Sequence, residues 1–465
     1  MRYVTLKKRY LLRGWRNREF ALLDWKASSF NRNKALPLTQ VQKEAIELLT
    51  TPYVAMDDPL LPQTLRHAAV RLMELGFLEE CAPEQGLQAD QKYRYADTLL
   101  AHSLTWSITG NCNLRCRHCY ISGDEGTYGE PTLAECQDIV EQMKAANIYS
   151  VALTGGEPLV RRDFWDVVDM LVDSHIYIEE IFSNGLLVTD AFLDKLETRH
   201  LALDCFLLSF DGVGWHDWMR GVPGTEKRTI DAIRRLKARG YGVIVTTVLH
   251  EKSLSSLSAT YHLLKELGVD FWRVADVMNS GNWKAKENSE VSRAKLMEAY
   301  LELLREMKSD GMPLPKLRLS GVMEAEGMDY RLLPLNGCGT AEREGEPLCE
   351  ASRLFPHLLP DGRLLPCMPM CGTELERLAP NILTGEYDIC RALTDSPLGE
   401  YMRYTYKDAF AHEPECAACQ HRYRCTRCPA AALAGGSVFA KSPMACYFIK
   451  NHYDEKIRAI MDGNV

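Results

Sequence analysis

From Thr132 to Asp276 the chain alternates between helical and extended patterning, and this alternation restricts its fold more than any other feature. Thr132-Leu133-Ala134-Glu135 reads as a capping box that opens a helix through about Ala146. Strand patterns follow at about 149–154, 177–183 and 203–210, in the β-branched run Val243 to Val248, and at 271–275. Helices are expected between them near 162–175, 225–239 and 254–267. Strands joined through helices return to the same end of a sheet, so they run parallel and the fold class is α/β. In such a sheet the ligand site is expected outside the carboxyl ends of the strands. With 465 residues, 46% of them hydrophobic and 25% charged, the chain has material for two or three domains.

Just upstream of this region stand Cys112, Cys116 and Cys119, in the run C-N-L-R-C-R-H-C-Y. A four-iron cubane takes four thiolates, so a compact set of three leaves one iron open to a ligand that is not protein. Zinc is the alternative, with His118 as a fourth ligand, although zinc ordinarily takes two separated ligand pairs. Downstream, the 149–154 strand runs into Gly155-Gly156-Glu157-Pro158, where glycines let the backbone approach a ligand closely. Two further strand ends, Glu180 to Gly185 and Leu207 to Gly212, precede Arg220-Gly221 and Pro223-Gly224. Asp276, after the last strand, is a candidate general base or a simple cap, and Trp215 and Trp218 read as packing.

Cys-x3-Cys-x2-Cys followed by Tyr120, with these elements in this order, resembles the radical S-adenosylmethionine (SAM) superfamily. The resemblance implies that Cys112, Cys116 and Cys119 hold a catalytic [4Fe-4S] cluster whose fourth iron is chelated by SAM. Reductive cleavage of SAM would then give a 5′-deoxyadenosyl radical that removes a hydrogen from the substrate. It further implies SAM contacts from Tyr120, Gly155, Gly156 and Glu157, the G-G-E-P element meeting the SAM amino group. Ser183 stands where the family's third strand ends, Ser209 would hold the ribose, and Arg220 the SAM carboxylate. The implied fold is a partial (β/α)6 barrel over about 101–300, within a domain taken as 101–330.

Beyond about 335 the chain reads as poor in helices and rich in cysteine. Cys349 is followed by twelve residues, Gly362, four residues and Cys367, then by Cys416-x2-Cys419-x5-Cys425-x2-Cys428 and Cys446. This resembles the SPASM domain, expected over 335–455, which adds two auxiliary [4Fe-4S] clusters to a radical SAM barrel. The resemblance assigns Cys416, Cys419, Cys425 and Cys446 to the outer cluster, and Cys338, Cys349, Cys367 and Cys428 to the inner one. Only two residues precede Cys428 where the pattern has three, and Cys371 is an alternative member of the inner set. Cys81, Cys136, Cys205 and Cys390 lack ligand spacing and read as buried small apolar residues, Cys205 sharing strand parity with Ser209.

The first eighty-five residues form a separate unit. Lys7 to Arg13 and Phe20 to Trp25 read as strands, and Thr39-x2-Gln42 caps a helix with the apolar face Val41, Ala45, Leu48, Leu49. A second helix runs from Pro62 to Gly76, with Leu65, Ala69 and Leu72 inward, before a short strand at Phe77-Leu78. Such a winged-helix-like unit resembles the recognition element that clamps the leader of a ribosomally made precursor peptide by adding it as a strand. Residues 1–50 carry a net charge of +7, eleven Lys/Arg less four Asp/Glu, which suits an acidic leader as well as it suits DNA phosphate.

The whole chain has a net charge of −8, which argues against general nucleic-acid affinity. No apolar run approaches the roughly 18 residues of a membrane span, and no secretory pattern follows Arg2, Lys7, Lys8 and Arg9. Sixteen cysteines without a secretory signal point to metal ligation in a reducing compartment, so a cytoplasmic location is expected. These features together are read as a radical SAM maturase of a ribosomal peptide. Auxiliary clusters able to take the leftover electron favour a thioether or carbon–carbon cross-link, and a flavodoxin or ferredoxin would supply the reducing electron. The alternatives are a sulfatase-maturase-like protein oxidase, a peptide epimerase, an iron–sulfur electron carrier and a redox-sensing DNA-binding protein.

Overall fold

Both capping boxes read from the sequence form in full. Thr39 and Gln42 cap α1 (Gln40–Leu49), and Thr132 and Glu135 cap α3 (Leu133–Ala145), each side chain answering the other's backbone N–H. The structure is a computed structural model that describes residues 1–16, 20–24, 35–98, 103–123, 125–199, 201, 203, 205–311, 315–327, 329–349, 355–401, 403–433 and 436–463. Trp25, read as the end of a strand, lies outside the described residues.

The N-terminal unit pairs β1 (Tyr3–Leu6) with β5 (Leu78–Cys81), and joins β2 (Tyr10–Trp15), β3 (Phe20–Asp24), β4 (Ala35–Leu38) and β6 (Arg94–Ala96) in the order β4-β3-β2-β6. The run expected to be one strand from Lys7 to Arg13 is strand only from Tyr10 onward, its first three residues forming the turn after β1 in which the Tyr10 N–H reaches the Lys7 carbonyl. Pairing of β6 with β2 carries the unit past residue 85. On α1 the inward face is Ala45, Ile46 and Leu49, while Val41 and Leu48 are exposed. The expected stripe was rotated by one position because both readings satisfy helical spacing, and only the location of α2 (Gln63–Glu74) decides between them.

In the large sheet, β7 (Ser103–Ser107), β8 (Ser150–Thr154), β9 (Tyr177–Ser183), β10 (Cys205–Ser209), β11 (Gly242–Leu249), β12 (Phe271–Asp276) and β13 (Lys316–Leu319) lie side by side and parallel. The parallel run therefore continues past residue 300 by one strand. Two antiparallel strands, β14 (Met323–Glu326) and β15 (Asp329–Leu332), extend one edge. At the other edge β16 (His357–Leu358) pairs with β7, and β17 (Leu364–Leu365) closes a hairpin with it. Outward residues such as Val243, Val245 and Leu249 meet α4 (Phe164–Asp173), α5 (Asp190–Glu197), α7 (Thr225–Ala238) and α8 (Leu257–Glu266) in one continuous core. Inward residues of the same strand, Ile244, Thr246 and Val248, face a cavity. Helix α5 and the later α10 (Arg293–Ser309) are elements the sequence reading did not name.

The C-terminal segment is not poor in helices. It carries several of four to ten residues, and those at Pro397, Pro414, Pro429 and Pro443 begin on a proline, which suits the first helical turn. Those four are too short to show a periodic apolar face, whereas the last helix, Tyr453–Asp462, buries Tyr453, Ile457, Ile460 and Met461 at helical spacing. Ile389, Leu393, Phe448 and Ile457 join the core of the large sheet.

Asn147 fastens the N-terminal unit to this sheet. It is 1% exposed and has a φ of 55°, its Oδ1 accepts from Arg94 Nε at 2.7 Å, and its Nδ2 donates to the carbonyls of Gly14 at 3.0 Å and Arg94 at 2.9 Å. Asn tolerates this left-handed backbone better than most residues. Asn147→Ala leaves three buried partners unanswered, so a loss of about 2–4 kcal/mol at this junction is expected. Limited proteolysis checks it: cleavage near 97–103 should accelerate in the variant while the large sheet stays resistant.

Candidate active site

The loop bearing Cys112, Cys116 and Cys119 is gripped from three sides by backbone hydrogen bonds. Gly156 N donates to the Thr109 carbonyl and Glu157 N to that of Asn111, both at 2.9 Å. Arg117 N reaches the Met219 carbonyl at 2.8 Å, and Arg115 N reaches that of Arg220 at 3.2 Å. Asn282 donates from its backbone to Cys119 O at 2.9 Å and from Nδ2 to Cys116 O at 3.2 Å. Glycines stand at each grip because nothing larger fits. A Cβ on Gly155, Gly156, Gly221 or Gly281 would overlap a carbonyl oxygen of Thr109, Asn111, Arg115 or Cys119 respectively. Two of these contacts, at Gly221 and Gly281-Asn282, were not read from the sequence.

Behind the loop sits a buried carboxylate. Glu157 is 1% exposed and accepts from Ser183 Oγ at 2.9 Å and from Asn184 N at 2.7 Å. Burial pushes its pKa up to about 7 despite these donors. Ser183 also accepts from Gly185 N at 3.0 Å, so it braces Glu157. Arg220 meets Asp211, which is fully buried, through Nε at 2.7 Å and Nη2 at 3.1 Å, and its Nη1 approaches Cys116 Sγ at 3.7 Å. Asp211, read from the sequence only as part of the strand-end run Leu207 to Gly212 and given no role there, is thus a further member of the site.

Cys112, Cys116, Cys119, Tyr120, Gly155, Gly156, Glu157, Ser183, Ser209 and Arg220 all line one cavity of about 1770 Å³, together with His118 and Asn184. The cavity extends down the inner face of the strands to Trp15, Phe20, Pro37 and Leu38 of the N-terminal unit. Cys205 lines it as strand parity predicts. Asp276 does not. Its neighbour Ala275 faces the cavity, whereas Asp276 lies with Arg293, Glu290 and Tyr300 toward α10, which corrects its reading as a candidate general base. Trp215 and Trp218 pack against each other and His250.

Burial raises Cys112 to about 12 and Cys116 to about 11, each thiol feeling the charge of its neighbours in the trio. Thiols so disposed ionise only when a cationic group joins them, which is what an iron cluster provides. In the C-terminal segment Cys416, Cys419, Cys425 and Cys446 influence one another, and Cys425 is pushed to about 12 by burial. Arg427, 6% exposed, lowers Cys416, Cys425 and Cys446, while its own Nε and Nη1 have no hydrogen-bond partner among the described residues. A buried cation facing four thiols fits an anionic cluster. Cys349, Cys367 and Cys428 surround Tyr401, whose hydroxyl is likewise unanswered. Cys338 is exposed, with its thiol toward Thr340, on a turn that pairs with the backbone of Tyr423 and Arg424. Cys371 is not an alternative member of that set, since its thiol packs against Tyr120 and bonds Tyr128 Oη at 3.4 Å. Cys136 and Cys205 are buried as expected, but Cys81 and Cys390 are only half-buried. Among the described residues no three His, Cys, Asp or Glu converge as a single metal ion requires.

Residues 106–264, which carry the three-cysteine loop and the strand-end motifs, match the family described as the Radical SAM superfamily. Among curated proteins the chain is 28% identical over 211 residues to the AdoMet-dependent heme synthase of Methanosarcina barkeri, covering 44% of this chain and 59% of that protein. It is 31% identical over 183 residues to the mycofactocin maturase MftC of Mycobacterium tuberculosis, covering 38% and 45%. The chain thus spans about half the length of these relatives. In fold it resembles Streptococcus suis SuiB, solved with its precursor peptide SuiA, at a TM-score of 0.63 and 16% identity over 96% of this chain and all of that one. Among the described residues no helix is long and apolar enough to cross a membrane.

Proposed function

We propose that the protein is a radical SAM enzyme that oxidatively modifies a ribosomally made precursor peptide. The observation that carries this reading is the single cavity that joins the three-thiol loop and Glu157 to the N-terminal unit at Phe20 and Pro37. Cys112, Cys116 and Cys119 would hold a [4Fe-4S] cluster, which with SAM supplies a 5′-deoxyadenosyl radical for hydrogen abstraction. Glu157, raised by burial, suits a cationic amino group, because pairing with one offsets the cost of its buried charge. Ser183 and Asn184 hold that carboxylate still, and Ser209 faces the cavity within the same sheet. The four thiols beside Arg427 and the three beside Tyr401 are the proposed auxiliary cluster ligands, together with Cys338, whose turn pairs with Tyr423 and Arg424. In this reading the leader binds the N-terminal unit and the core peptide enters the cavity from there.

A carboxylated tetrapyrrole is the competing substrate, favoured by the sequence similarity to a heme synthase. The cavity's continuity with a strand-rich N-terminal unit favours the peptide. The test is anaerobic reduction with SAM and candidate short precursor peptides sought near the gene. 5′-Deoxyadenosine and loss of two hydrogen atoms from the peptide are expected. The variant with Cys112, Cys116 and Cys119 all replaced by Ala should form no nucleoside while retaining iron at the C-terminal thiols. Nucleoside formation by that variant would refute the assignment of the catalytic cluster.

A further inference from the structure

Strands β12 and β13 present an excess of positive charge to the lower cavity. Arg273 and Arg318 are register partners on these adjacent parallel strands, and both line the cavity. They stand in the same layer as Ser209 and Thr246, one layer inside the strand ends. Phe271 supports the cations from below, with Arg273 5.0 Å and Lys316 5.5 Å from its ring centre.

The cavity wall also carries Glu179, which accepts from Ser103, and Asp270, which pairs with Lys237, and the other nearby carboxylates are drawn mostly to cations other than these two arginines. Glu326 takes Lys316 at 2.7 Å, Glu324 takes Arg331 at 2.8 Å, and Glu180 approaches Arg273 at 3.6 Å. Glu180 reaches the cavity because a register shift between Val151 and Ala152 leaves Glu179 unmatched and brings two successive glutamates to the inner face. Arg273 Nε remains buried without a hydrogen-bond partner among the described residues, and Arg318 is exposed on the cavity wall beside it. Two adjacent guanidiniums opening on a cavity are built to take a carboxylate through paired N–H donors.

We propose that Arg273 and Arg318 form a carboxylate-binding subsite that anchors an acidic group of the substrate, either an Asp or Glu side chain or the peptide's C-terminal carboxylate. The proposal rests on the peptide reading above and adds to it the charge that the substrate must carry near the SAM site. Lysine at 318 would keep the charge but not the fork of donors, so Arg318→Lys separates charge from geometry.

The test measures binding to the full-length, cluster-loaded protein with SAM bound. The probes are a capped Gly-Gly-Glu-Gly-Gly amide, its Gln counterpart, a pentaglycine peptide with a free carboxylate, and glutarate. The Glu peptide or the free-acid peptide is expected to bind at least about tenfold more tightly than the Gln peptide. Which of the two does so identifies the source of the carboxylate. The preference should vanish in Arg318→Gln and in Arg273→Gln and be partly kept in Arg318→Lys, with iron per chain and melting behaviour as folding controls. Equal binding of all three peptides, or a preference that survives both Gln variants, overturns the subsite. Glutarate binding that depends on Arg318, with no peptide binding at all, would uphold the carboxylate subsite and refute the peptide substrate.

Discussion

Alanine at Gly156 is expected to empty the three-thiol site. The added methyl would overlap the Asn111 carbonyl and press on the Cys112 side chain, and neither can retreat without breaking the hydrogen bonds from Gly156 and Glu157 that hold the loop. Overpacking of this kind costs about 1–3 kcal/mol in an ordinary core. Here the strain falls on groups whose positions set the chemistry, where a displacement of about 1 Å can cost roughly a hundredfold in rate. Iron content should fall by about four per chain, the complement of one cubane. 5′-Deoxyadenosine formation should fall at least about a hundredfold. The matched control is Gly345→Ala, whose methyl meets open space and whose iron and turnover should stay at the wild-type level. Wild-type iron in Gly156→Ala would show that the loop can shift and that the glycine serves only the ligand.

The second large effect is expected at Asp211, which accepts from Val248 N at 3.2 Å as well as from Arg220. Asp211→Ala strands a buried guanidinium beside Cys116, and breaking a buried pair from one side costs about 3–5 kcal/mol. Asp211→Asn keeps the shape and should cost less. Burial opposes ionisation of Asp211, but Arg220, His118, His216 and the Val248 N–H together outweigh it and hold the pKa below the usual aspartate value. A depressed folded-state pKa stabilises above the unfolded value of about 3.9 and is lost as pH falls through the folded one. Denaturant midpoints should therefore separate wild type from Asp211→Ala at neutral pH and converge in strong acid. Equal midpoints at pH 7 would mean that Arg220 finds another partner.

The candidate site was more legible than its supports. Cysteine spacing, G-G-E-P and the strand-end serines are local patterns, and the structure gathers all of them around one cavity. Asn282 and Asn147 act through partners 53 to 166 residues away in sequence, and as single residues they carry no local signal. Asp276 misled for a related reason. It is the last residue of β12 rather than the first beyond it, and a one-residue step moves a side chain to the other face. The displaced apolar stripe of α1 is the helical version of the same ambiguity.

Taken alone, the order of residues determined an α/β parallel sheet, the two capping boxes, the spacing of the thiols and the close backbone approach at Gly155 and Gly156. These follow from propensity, periodicity and spacing, which act over a few residues. Only the tertiary structure decided that a seventh parallel strand follows the sixth, that β16 closes the other edge, and that Glu179 and Glu180 both turn inward. It also decided that Arg273 and Arg318 stand side by side on the cavity wall. Strand register and ion pairing depend on which distant segments meet, and that is settled by packing of the whole sheet against its helices.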